Sequence, residues 1–147
     1  KCGKNKDIIF NFETNLDLLK KFYEETMKKN NGEFSKINLD RTVKFMNKAS
    51  LVDKGFQTNV YFKGEPIYSI FFTTHNGIAC YFYGAGDVNN KDRLSGTYCL
   101  WRAIENCFKK KISHVDLEGI NSPQRGSFKI TFGSFLKNYY YIKINNS

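Results

Sequence analysis

Leu94–Glu118 reads LSGTYCLWRAIENCFKKKISHVDLE. From Leu94 to about Lys110 the apolar residues recur at helical spacing, and Leu94, Trp101, Ile104 and Phe108 can share one buried face. Lys109, Lys110 and Lys111 crowd the end of this helix, where cations suit the helix dipole. From Ser113 the period changes. Val115 and Leu117 alternate with Asp116 and Glu118, the pattern of a strand. A long helix between two strands is a crossover, which permits those strands to pair in parallel.

Upstream lies a run of strands. Phe56, Thr58, Val60 and Phe62 alternate with Gln57, Asn59, Tyr61 and Lys63. Gly64-Glu65-Pro66 turns the chain into a more apolar, central strand, Ile67–Thr74. His75-Asn76-Gly77 carries Asn-Gly, a strong short hairpin signal, and Ile78–Tyr83 is the third strand, ended by Gly84-Ala85-Gly86. The three form an antiparallel meander. Before them, Lys6–Phe12 is a short strand. Thr14 and Asp17 have capping-box spacing for a helix reaching about Lys29. Asn38 or Asp40 can cap a second helix carrying Leu39, Val43 and Met46. Downstream, Gly126–Phe132 reads as a short helix and Tyr139–Ile144 as a last strand. The expected class is α/β with a mixed (α+β) sheet, in the order β-α-α-β-β-β-α-β-α-β.

The chain has 147 residues, 41% hydrophobic and 16% aromatic. That length is one domain, able to bury roughly two thirds of its unfolded surface. Apolar runs such as Ile67–Phe72 are far too short to span a bilayer. The charge is +9, from 23 Lys and Arg against 14 Asp and Glu, a field that suits anionic partners such as nucleotides, phosphorylated cofactors or tRNA. Cys2, Cys80, Cys99 and Cys107 form no CxxC pair and there are two histidines, so no zinc site is expected. Reduced core cysteines point to a cytoplasmic protein, with the inner membrane face as a further location.

The element order is that of GNAT-type acyltransferases, the acyl-CoA N-acyltransferase fold. More specifically, Asp116-x-x-Gly119, a turn, then Gly126-x-Phe128-Lys129-x-x-Phe132-Gly133 and an aromatic strand resembles the C-terminal half of FemABX-like proteins. These are peptidoglycan-bridge aminoacyltransferases and related FemAB-like acyltransferases. Tyr61–Ile67 is similar to that family's first hairpin, and Tyr81-Phe82-Tyr83-Gly84-Ala85 to its strand end. The resemblance covers roughly Phe22–Ile144. It implies that residues 1–147 are one GNAT-like domain, the C-terminal half of a longer two-domain protein with an upstream GNAT-like domain. Its start at Lys1 rather than Met accords with an excised piece.

The implied activity is amide formation on an amine of a cell-envelope precursor, with aminoacyl-tRNA or acyl-CoA as co-substrate and no tightly bound cofactor. Two alternatives stand beside it. One is a stand-alone acetyl-CoA-dependent N-acetyltransferase acting on an amino sugar. The other is a non-catalytic basic half that binds tRNA or nucleotide for a larger enzyme.

By the same resemblance, Lys129 is a cation for phosphate or oxyanion and Phe128 a wall for the donor end. Arg125 and Gly126, at the mouth of the short helix, suit an anion. Asp116 faces away from Val115 and Leu117, where it can orient Lys129 or Arg125 or act as a base; Glu118 has the same parity. Tyr81 and Tyr83 can donate O–H bonds to a carbonyl. A CoA-binding GNAT enzyme presents Q/R-x-x-G-x-G/A at the start of its long helix, and here the text is Arg93-Leu-Ser-Gly96-Thr-Tyr98. Arg93 and Gly96 fit; Tyr98 replaces the small residue and would crowd a pyrophosphate.

Overall fold

The computed structural model describes residues 7–29, 35–90, 94–119 and 123–138, the side chains of 123–125 excepted. Five strands form one sheet in the order β1 (Ile8–Asn11), β2 (Gly55–Phe62), β3 (Glu65–His75), β4 (Ile78–Gly86) and β5 (His114–Asp116). The first four pair antiparallel; β4 and β5 are parallel, as a helical crossover allows. The helices are α1 (Leu16–Lys29), α2 (Lys36–Leu51), α3 (Ser95–Lys109) and α4 (Pro123–Ile130). The expected class and order therefore hold as far as α4. The expected strand Tyr139–Ile144 lies outside the described residues.

Both faces of the sheet are covered. Phe56, Val60, Ile70, Phe72 and Ala79 pack with Cys99, Leu100, Ala103 and Cys107 of α3. Phe71 and Ala85 pack on the other face with Leu19 and Phe22 of α1 and Met46 and Ala49 of α2. Coverage of both faces is why β2 is buried continuously from Phe56 to Val60, although its sequence alternates.

Several local readings need correction. The buried face of α3 is made of Ser95, Cys99, Leu100, Ala103 and Cys107, while Leu94, Trp101 and Phe108 are exposed. Small side chains let the helix lie close on the sheet, and the larger apolar ones are left outside. Asn15, not Thr14, caps α1: its Oδ1 accepts from the Leu18 N–H at 3.1 Å. Ser35, in extended backbone, caps α2 by accepting from the Asn38 N–H at 3.3 Å. Asn38 and Asp40 fall inside that helix. Both hairpins are two-residue turns, with positive φ at Lys63 and Gly64 and at Asn76 and Gly77. Glu65 and Pro66 thus belong to β3, and Gly84–Gly86 to β4.

A buried polar cluster on the α1 side fixes the start of α1. Gln57 clamps Asn15 at two points, with Oε1 accepting the Asn15 N–H and Nε2 donating to its carbonyl, both at 2.8 Å. Asn59 Nδ2 donates to Asn11 Oδ1 and the Glu13 carbonyl, and Asn59 Oδ1 accepts from Ser69 Oγ. Asn59→Ala removes the acceptor of the buried Ser69 hydroxyl and of Gln57 Nε2, and the donor that ties Asn11 and Glu13 to the sheet. Its expected cost is about 3 kcal/mol, the upper part of the range for such a loss, read from the urea midpoint.

Candidate active site

The sheet opens at β5. Pairing of β4 with β5 runs from Ile78 with His114 to Cys80 with Asp116, and β4 then continues to Gly86 without β5 beside it. Phe82 is an extra residue in β4, since Phe71 pairs with Tyr83 and Phe72 with Tyr81. The bulge changes the parity of the strand. Tyr81 packs on the α3 side and Tyr83 on the α1 side, where its ring centroid is 5.0 Å from that of Tyr23. Simple alternation would have placed the two tyrosines together. Burial, with Tyr23 as a hydrogen-bonding neighbour, pushes the Tyr83 phenol well above its ordinary range and keeps it neutral.

At the foot of the gap, Lys129 Nζ donates to the Gly119 carbonyl at 2.9 Å and stands 5.6 Å from the centre of the Tyr81 ring. Phe128 is partly buried on the α3-side core, edge-on to Phe132 at 5.3 Å. Gly126 is buried in α4. Arg125 lies in the first turn of α4, but its side chain is outside the described residues, as is all of Arg93. Asp116 Oδ1 accepts the Glu118 N–H at 2.7 Å, which holds Glu118 at φ 66°.

Glu118 Oε1 in turn accepts the Cys80 thiol at 3.0 Å. Cys80 points to the α1–α2 side, because its neighbours Ala79 and Tyr81 pack on the α3 side. Burial, then the Glu118 carboxylate, pushes the Cys80 thiol up to about 12. The thiolate, the reactive form, is therefore scarce at pH 8. Iodoacetamide should label Cys80 slowly in the folded protein at that pH. Glu118→Gln removes one raising charge and should speed labelling, followed by peptide mass spectrometry.

Two glycines place α3 over the far end of β4. A Cβ on Gly86 would lie 2.4 Å from the Tyr68 ring, and one on Gly96 would lie 3.1 Å from it. The ring of Tyr68 is thus held between β4 and the first turn of α3, and its phenol is pushed up by burial and hydrogen-bonded with Tyr81. Leu94 at the cap position of α3 carries no side-chain acceptor. Tyr98 turns toward β1, with its ring 6.2 Å from Phe10 and 4.9 Å from the Arg102 guanidinium. The expectation that Tyr98 crowds this helix start is therefore corrected, since β1 is the edge of the sheet farthest from β5.

Tyr68, Gly86 and the Cys80–Glu118 bond were not singled out from the sequence. Glycines inside a strand mark close approach, and that was the available signal for Gly84 and Gly86. Among the described residues no group of three or more His, Cys, Asp or Glu is placed to hold a metal, and no helix is long and apolar enough to cross a membrane.

The geometry is that of the GNAT fold. A possible acetyltransferase from Clostridium difficile 630 superposes with a TM-score of 0.68 at 18% identity, covering 97% of this chain and 99% of that one. A GCN5-related N-acetyltransferase from Ralstonia eutropha JMP134 gives 0.71 at 12%, covering 93% and 98%. A structure called a predicted acetyltransferase with acetyl-CoA, from Clostridium acetobutylicum, gives 0.69 at 11%, covering 94% and 96%. No protein-family model matches the sequence, and no curated protein matches it. Nothing in these likenesses is specific to FemABX-like aminoacyltransferases.

Proposed function

We propose that the chain is an acetyl-CoA-dependent N-acetyltransferase. The observation that carries this reading is the parting of β4 from β5 after Cys80, with the start of α3 standing over the far end of β4. The residues present fit such a donor. The open edge of β4 offers backbone N–H and C=O groups to an amide-bearing chain. The first turn of a 15-residue helix, with Gly96 in it, offers N–H groups to a diphosphate, and Tyr98 is turned away. In the sequence Arg93 stands two residues before that turn.

The two faces of the gap carry different groups. The Glu118 carboxylate lies with Cys80 on the α1–α2 side; the Lys129 ammonium lies with Tyr81 on the α3 side. Bound acetyl-CoA supplies the activated carbonyl. The acceptor nitrogen bonds to that carbon, the carbon–sulfur bond breaks, and the departing sulfur takes up the second proton that the acylated nitrogen sheds, leaving as a thiol. In this reading Glu118 takes the proton from the acceptor ammonium, as a positioned carboxylate can. Asp116 positions Glu118 through its N–H. Lys129 holds positive charge where the departing sulfur needs it. Phe128 packs behind Lys129 on the α3-side core, and Tyr83 supports the bulge from the α1 side.

The resemblance to FemABX-like proteins leaves an aminoacyl-tRNA donor as the competing reading. Coverage favours the acetyltransferase, since the chain spans 96–99% of the three structures compared. Calorimetry separates the two. Acetyl-CoA is expected to bind, and Lys129→Ala to lower turnover with an amine acceptor while leaving acetyl-CoA binding measurable. Absence of acetyl-CoA binding, together with acceptor-stem RNA binding that weakens steeply with salt, would sink the proposal.

A further inference from the structure

The end of the molecule away from the candidate site gathers three turns. The β3–β4 hairpin meets the α3–β5 connection through the N–H groups of Ser113 and His114, which donate to the Gly77 carbonyl at 2.9 and 3.3 Å. It meets the α2–β2 turn through the Thr74 N–H and the Lys54 carbonyl at 2.8 Å. Lys110 Nζ ties the two helix ends together at 3.2 Å from Asp53 Oδ1. Large apolar side chains stand out from this end: Phe108 is 83% exposed, Leu51 77% and Val52 65%. Around them Lys48, Lys54, Lys109 and Lys111 are exposed. Asp53, the acid in these turns, is already ion-paired with Lys110. An open groove of about 640 Å³ between α2 and β3, floored by Phe45, Ala49 and Val52, has Lys48 and Lys54 among its lining residues.

We propose that this end docks on an anionic lipid surface, with Leu51, Val52 and Phe108 entering the headgroup region and the lysines meeting lipid phosphates. Leu51 and Val52 leave the end of α2 and Phe108 the end of α3, on opposite sides of the sheet, so no single groove takes all three and they need depth rather than a matching shape. A fluid bilayer supplies that, and lysine stems beside them can reach to the phosphates. The alternative occupant is an acidic protein segment lying in the groove. It would cover Phe45, Leu51 and Val52 but leave Phe108, on the other side of the sheet, in water. Docking here leaves the gap beyond Cys80 accessible, because β4 carries the chain about 23 Å from Ile78 at the hairpin to Gly86.

The test is co-sedimentation of the full chain with phosphatidylcholine vesicles, with and without about 30% phosphatidylglycerol. Binding to the anionic vesicles alone, lost on raising salt from about 0.05 M to 0.5 M, is the expected result. The double variants Leu51→Ser/Phe108→Ser and Lys109→Glu/Lys111→Glu should each weaken binding at least about tenfold. All four residues are exposed, so a thermal melt unchanged from the parent separates docking from folding. Equal binding to neutral vesicles, no binding to either, or no effect of the charge reversals overturns the proposal. So does binding to polyglutamate without binding to vesicles, which reassigns the surface to an acidic protein.

Discussion

Glu118→Gln is expected to lower kcat/KM for acetyl transfer by about 10²–10⁴-fold, the range for loss of a positioned proton acceptor. The substitution keeps an oxygen for the Cys80 thiol and the backbone N–H for Asp116, so the local geometry should survive. Acetyl-CoA affinity should be unchanged, because the donor groups lie on β4, α3 and α4. The deficit should shrink as pH rises toward about 10, where an amine acceptor loses its own proton and needs no base. A variant with unchanged turnover at neutral pH would remove Glu118 from the mechanism. A uniform deficit at every pH would make it a positioning residue.

Phe72→Ala should cost about 3–5 kcal/mol of stability, as truncation of a buried Phe does. Phe72 is fully buried, stacked on Phe56 with ring centres 5.5 Å apart and edge-on to Tyr81 at 5.7 Å. Activity should fall further than stability alone explains, because Tyr81 loses the ring beneath it at the rim of the gap. Phe71→Ala is the matched control. Phe71 is equally buried but packs on the α1 side with Ala85. Urea unfolding should show similar losses for the two, with the larger loss of turnover in folded Phe72→Ala. Equal turnover in the two variants would show that Tyr81 owes nothing to its support.

Much of the fold was legible before the structure. Asn76-Gly77 fixed one hairpin, the change of period at Phe56 marked the entry into the sheet, and the long helix before Val115 required a crossover. Other features leave weaker traces in sequence. In α3 Trp101 and Phe108 carry the bulky apolar signal of the sequence, whereas the packed face is lined by Cys99, Ala103 and Cys107, whose advantage is smallness. At both helix starts several neighbouring side chains could accept a hydrogen bond. Asn15 and Ser35 prevail, the first because Gln57, 42 residues away, clamps it in place.

The candidate site was legible only in part. Glu118 was seen as sharing a parity with Asp116, but its bond to Cys80 joins residues 38 apart. The gap itself is a property of two strands, and neither strand alone predicts where they part. Tyr98 is a further case, because a motif carries no direction for a side chain. As a letter in a motif it is an obstacle. In the structure it belongs to a stack with Arg102 and Phe10 at the opposite edge of the sheet.

The bulge at Phe82 gives chain length a meaning that composition does not have. Two residues separate by sequence what a regular strand would keep together, and the added one swaps the face on which everything after it lands. Deleting Phe82 would leave Tyr81 opposite Phe72 and Tyr83 opposite Phe71, a regular ladder in which both tyrosines keep their faces and only the bulge is lost. At this point the information is a count: two tyrosines two residues apart face opposite sides because one residue between them is left out of the ladder.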